Sequence, residues 1–229
     1  MRWFYALFNL AILTTPLAGY ILWRPTFWLG WRRLLRAWLI VSGAWIALDI
    51  YSVSQGWWRY NSDYILGPKI AGLPLEEIAF FFVVPLACVI VFTLVRQYVP
   101  GTIRQAYARY MLLALGIAVW FFINIYQDRP RTGLDGFLVL FTILVLWRSR
   151  LTTTVAFWYW NALVLTLCLV FNTMLTALPV VIYDESLMSG LRLGTIPVED
   201  FLYNFSLLNL FLLVVLSDGL RLRRLWPRK

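Results

Sequence analysis

Two stretches of this chain set a proline and a pair of carboxylates at the threshold of an apolar run. They are Leu73-Pro74-Leu75-Glu76-Glu77 and Ile196-Pro197-Val198-Glu199-Asp200. Pro197 follows Pro74 by 123 positions, and the acidic pairs keep the same spacing. Carboxyl groups crowded into poor solvent repel one another as anions, so such a cluster holds protonated acids beside charged bases. The chemistry it offers is proton transfer. Each threshold alone is also ordinary helix-start grammar. Proline suits a first turn whose N–H would go unpaired, and carboxylates favour the positive end of the helix dipole by about 0.3–1 kcal/mol each. Recurrence at a matching place favours the functional reading. So does cost, since an acid at the centre of a membrane span is unfavourable by roughly 2.5–3.5 kcal/mol.

The elements that position these acids are apolar helices. The 229 residues are 62% hydrophobic and 14% charged, with a mean hydropathy of +0.74, which is the composition of a membrane protein. A spanning helix needs roughly 20 residues. Seven stretches qualify, at about 3–23, 35–53, 75–95, 108–126, 134–147, 153–178 and 198–216, the fifth of them short. The sequence therefore predicts an all-α integral membrane protein of seven transmembrane helices. Of the 20 Lys and Arg residues, most fall on the side opposite the amino terminus. The positive-inside rule makes that side cytoplasmic. The expected location is the cell (inner) membrane, with the amino terminus outside and the carboxyl terminus in the cytoplasm.

Leu22-Trp23-Arg24, at the end of helix 1, returns as Leu146-Trp147-Arg148 at the end of helix 5. Helices 1–3 then correspond to helices 5–7. The expected organisation is a first repeat at 1–107, a linking helix 4 at 108–127 and a second repeat at 128–229. An offset of four helices gives a parallel repeat, so both acidic thresholds face the same, non-cytoplasmic side. Other polar groups fall at that depth: Asp49 and its repeat equivalent Asn172, with Asn124 and Asn9. Aromatic residues gather there too, in Trp57-Trp58-Arg59-Tyr60-Asn61, in Phe80-Phe81-Phe82 and at Tyr203. Such residues commonly form a membrane belt. Beside a proton donor their faces would also stabilise a carbocation.

Several classes drop out. The net charge of +9 is dispersed in short clusters between apolar runs, which argues against nucleic acid. The chain has no histidine and no Gly-x-Gly, so imidazole catalysis and the dinucleotide fingerprint are absent. Cys88 and Cys168 read as buried packing residues, without disulfide or metal spacing. A retinal photoreceptor needs a lysine in its last helix, but the only lysines are Lys69 and Lys229. A proton-coupled transporter stays open as an alternative, since it also places acids between repeats; it would need polar residues continuing toward the cytoplasm, whereas these acids crowd toward one side. A non-catalytic membrane scaffold is the remaining alternative; it would not need doubled acids.

The paired thresholds, with Trp58-x-Tyr60-Asn61 ahead of the first, resemble the membrane-integral lycopene cyclases, in the form that fuses both copies in one chain. The resemblance covers both repeats in order. It implies redox-neutral, acid–base cyclisation of a linear carotene end group to a β-ionone ring, as a lycopene β-cyclase of carotenoid biosynthesis. No cofactor and no metal would take part, and the substrate would be lycopene dissolved in the bilayer. By this resemblance Glu76, Glu77, Glu199 and Asp200 are the candidate acids and bases, one from each repeat. Asp49, Trp58, Tyr60, Asn61, Phe80, Phe81, Asn172 and Tyr203 are candidate binding or supporting residues.

Overall fold

A computed structural model describes residues 2–23 and 30–217. Arg24, Asp218 and the basic carboxyl-terminal run lie outside the described residues. Among the described residues seven helices follow one another: helix 1 at Phe4–Trp23, helix 2 at Trp31–Ser54, helix 3 at Leu75–Tyr98, helix 4 at Gln105–Ile125, helix 5 at Pro130–Leu146, helix 6 at Val155–Ala177 and helix 7 at Val198–Leu216. Six are long and apolar enough to cross a membrane. Helix 5 is the exception, with 17 residues and with Arg131 and Asp135 near its start. The bundle exposes large apolar side chains, among them Leu113, Ile117, Trp120 and Phe121 on helix 4. A soluble monomer rarely shows so wide an apolar surface. The chain is a multi-pass, all-α membrane protein.

Helix 1 packs on helix 3 and helix 5 on helix 7, while helix 2 reaches helix 7 and helix 6 reaches helix 3. Helix 4 lies outside, against helix 5. Helix 2 widens to a π turn at Trp38–Ser42, beside a proline in helix 3. Pro85 has no N–H to give the carbonyl of Phe81, four residues back. Ser42 Oγ donates to that oxygen at 2.6 Å, and Trp38 Nε1 donates to the neighbouring Phe82 carbonyl at 3.1 Å. The carbonyl that the proline leaves without its helical donor is thereby satisfied within the protein, as an apolar solvent requires.

Short strands gather at the end where helices 3 and 7 begin. Strand β1 (Trp58–Tyr60) pairs antiparallel with β4 (Val181–Tyr183), Trp58 opposite Tyr183 and Tyr60 opposite Val181. Each acidic helix is preceded by a tight hairpin: β2 (Lys69–Ile70) with β3 (Leu73–Pro74), and β5 (Arg192–Leu193) with β6 (Ile196–Pro197). Their turns need a left-handed residue, met by Ala71 at φ 49° and by Gly194 at φ 64°. At the opposite end, Ile103 N donates to the Thr153 carbonyl at 2.8 Å and Val155 N to that of Gly101 at 3.1 Å. These bonds tie the 3–4 and 5–6 connections together.

Candidate active site

Pro74 and Pro197 adopt φ −59°, ψ 148° and φ −58°, ψ 142°, and each hands the chain from its hairpin into a helix. Consecutive helical residues point about 100° apart. The two acids of each threshold therefore have different neighbours. Glu76 turns to the loop before its hairpin and accepts the Leu66 N–H at 2.6 Å. Glu199 does the same, accepting the Ser189 N–H at 2.7 Å and the Thr132 hydroxyl at 2.5 Å. Both are buried and tie loop to helix.

Glu77 and Asp200 turn instead into the bundle, where they line one cavity with Asp49. Its volume is about 60 Å³, room for a few waters. Glu77 accepts the Tyr5 hydroxyl at 2.5 Å. Asp49 accepts the hydroxyls of Tyr203 at 2.7 Å and Tyr60 at 3.2 Å, and Trp58 Nε1 donates to the Tyr60 oxygen at 3.2 Å. Asp200 accepts the Tyr183 hydroxyl at 2.8 Å and is ion-paired with Arg131. That guanidinium also reaches Asp135 at 3.4 Å. It lies between two aromatic faces, 4.7 Å from the Trp58 ring centre and 4.6 Å from that of Tyr183. Arginine's flat, weakly hydrated cation suits this stacked, buried position.

Burial, with Glu77 and Asp49 close by, raises the Tyr60 phenol well above its ordinary range. Burial and the nearby Asp200 do the same for Tyr183. Both hydroxyls therefore remain donors at neutral pH. At the surface, hydrogen bonds from Ser186 hold Asp184 below the ordinary carboxylate range.

The cavity brings together eight of the residues expected from sequence: Asp49, Trp58, Tyr60, Glu77, Phe80, Asn172, Asp200 and Tyr203. Others sit elsewhere. Phe81 is buried behind Phe80, edge-on at 5.7 Å. Asn61 shapes a turn by accepting the Asp63 N–H at 3.0 Å. Asn9 donates to the Glu76 carbonyl at 2.8 Å. Asn124 is exposed on helix 4 and bonds only its own helix, at the Trp120 carbonyl, so it does not join the expected network. Cys88 and Cys168 are half-buried and line a second hollow, where tight packing was expected.

Four residues of the site were missed: Tyr5, Arg131, Asp135 and Tyr183. Tyr183 stands 123 positions after Tyr60, and Arg131 and Asp135 are four apart on one helix face, where opposite charges meet. Both signals were present in the sequence. For Tyr5 there was none, because it is one aromatic in an apolar run.

A family model described as lycopene cyclase matches residues 2–95 and 132–216. No curated protein and no solved structure matches the chain. The matched stretches make up most of the sequence and contain Tyr5, Asp49, Glu77, Tyr183 and Asp200, with Arg131 just ahead of the second. The chain belongs to the lycopene cyclase family.

Proposed function

We propose that the protein is a lycopene β-cyclase that closes the end group of a linear carotene by moving one proton in and one proton out. Family membership supports the carotenoid cyclase role. The observation that carries the mechanism is the meeting of Glu77, Asp49 and Asp200 in one buried cavity. Glu77 delivers a proton to the terminal carbon–carbon double bond. The π electrons of a second double bond attack the resulting cation, and one carbon–carbon bond forms. A ring carbon then gives its proton to Asp200, and those electrons become the ring double bond. Substrate and product are isomers, so no electron carrier is consumed.

The different partners of the two acids support this division. The ion pair with Arg131 singles out Asp200 as the proton acceptor. Glu77 faces the tyrosine hydroxyl of Tyr5, and no cation is paired with it among the described residues. Phe80 and Tyr203 present ring surface to the cavity, suited to a transient cation. Glu76 and Glu199 hold the loops that frame it.

The repeat belongs to the same proposal, with copies at 1–107 and 128–229 joined by helix 4 at 108–127. Contacts related by 123 positions support it. Leu66 to Glu76 matches Ser189 to Glu199. Asn61 N to the Val180 carbonyl, at 2.9 Å, exchanges with Asp184 N to that of Trp57, also at 2.9 Å. Such reciprocal pairing is what a two-fold axis through the β1–β4 pair produces. The placement in the cell membrane, amino terminus outside, rests on the distribution of basic residues.

Expression in a lycopene-accumulating bacterial host, followed by pigment chromatography, tests the function. Conversion of lycopene to a carotene with β-rings is expected. Unchanged lycopene, with the protein folded in the membrane, would overturn it.

A further inference from the structure

A second hollow, of about 260 Å³, runs between helices 1, 3, 6 and 7. Its wall is almost wholly apolar, and it shares Phe80, Asn172 and Asn204 with the acidic cavity. The two voids are therefore neighbours. Along helix 3 the hollow extends from Phe80 to Leu94. That is about 21 Å of helix, two thirds of the ~30 Å hydrocarbon layer. Near the acidic cavity helices 1 and 6 meet through Phe8 and Phe171, edge-on at 5.9 Å. Beyond that contact Thr15, Pro16 and Gly19 line one side of the hollow, and Leu167 and Cys168 line the other.

The positions 123 residues away differ from the lining of this hollow in size. Cys88 corresponds to Phe211, Ala87 to Leu210 and Cys168 to Trp45. Trp45 and Phe211 are buried core residues, and Trp45 lies against Tyr203 with ring centres 5.9 Å apart. The Trp45 indole N–H has no hydrogen-bond partner among the described residues, so the position uses the volume of the ring. Large side chains fill one half of the bundle where small ones leave the other half open.

We propose that the hollow between helices 1, 3, 6 and 7 is the channel for the polyene tail of the substrate, kept open by Ala87, Cys88 and Cys168. Trp45 and Phe211 close the equivalent space, so one end group is presented to the acids at a time. The inference rests on the cyclase reading. Its occupant is a long, unbranched-in-outline apolar chain, because the wall offers such a chain apolar contact on every side. Asn172 and Asn204 lie at its junction with the acidic cavity, and the Thr15 hydroxyl in its wall is turned to the Ala11 carbonyl at 3.1 Å.

Substitutions that import the bulk of the other half test the channel. The full chain is expressed in a lycopene-accumulating host, and two quantities are read: carotenoid co-purifying with the solubilised protein, and the cyclised fraction. Overpacking by one large side chain should lower both by about tenfold or more in Cys168→Trp and Cys88→Phe. Ala162→Trp, on the exposed face of helix 6, should retain both. If Cys168→Trp fails to accumulate, Cys168→Leu carries the test, with a loss of several-fold. Wild-type binding and turnover in a bulky variant present at wild-type level would overturn the channel. Failure of the wild-type chain itself to bind and cyclise lycopene would overturn the cyclase reading and the channel with it.

Discussion

Helices 3 and 7 start with the same words and end in different company. Each opens with a proline-led hairpin, ties its first acid to a loop N–H and turns its second acid into the shared cavity. There the likeness stops. Glu77 meets a tyrosine hydroxyl, whereas Asp200 meets Tyr183 and a buried arginine held between two rings. Two similar hairpin-to-helix entries thus offer two carboxyl groups at similar places, and the residues around them differ. Helix 1 supplies Tyr5 where helix 5 supplies Arg131. In the proposed mechanism, that difference separates the acid that gives a proton from the one that takes it.

The comparison breaks first at the acids themselves. Glu77→Gln and Asp200→Asn should each lower turnover by about 10²–10⁴-fold, the usual worth of a positioned acid or base, measured as cyclised carotene per folded protein. Similar losses from Glu76→Gln would move the chemistry to the loop-facing acids. Stability should then separate the pair. Asp200→Asn removes a charge facing Arg131, so it should destabilise the fold by about 3–5 kcal/mol. Glu77→Gln should cost far less, and equal shifts in thermal unfolding in detergent would erase the proposed asymmetry.

Arg131→Met comes next. It should lose as much stability as Asp200→Asn and also lower turnover, because Asp200 is left buried without its cation. Tyr5→Phe should be milder, by about 1–2 kcal/mol in activation free energy, as expected for one hydrogen bond to an acid. Glu76→Gln and Glu199→Gln should have the smallest effect on rate, under about tenfold, since an amide oxygen can still accept the loop N–H. Their pigment profiles in the same host provide the check.

Much of the frame was legible because a membrane span leaves a simple trace. Helix 7 was expected at 198–216 and is found there, and helix 3 was expected to start at residue 75. A run of apolar residues bounded by proline and acids allows few other readings. The convergence of Glu77, Asp200 and Asp49 was legible through their depth and the 123-residue spacing. Which acid of each pair turns inward was not, because that depends on how each hairpin delivers the chain to its helix. In the sequence Arg131 stands ahead of the fifth apolar stretch, with nothing to mark it as buried. Only the fold shows it inside, where Trp58 and Tyr183 arrive from strands far apart in sequence. The cysteines misled for a related reason. A small residue in an apolar run can mean close packing or a space left open, and sequence does not separate the two.

Proton transfer across the two halves is tested most directly by turnover in heavy water. Purified protein in detergent, equilibrated in D₂O, is given lycopene, and the cyclised product is analysed by mass spectrometry. Delivery of a solvent-exchanged proton from Glu77 predicts one deuterium retained in each ring formed, with incorporation abolished together with product in Glu77→Gln. Rings formed at the wild-type rate without deuterium would show that no exchangeable acid starts the reaction, and would contradict the mechanism.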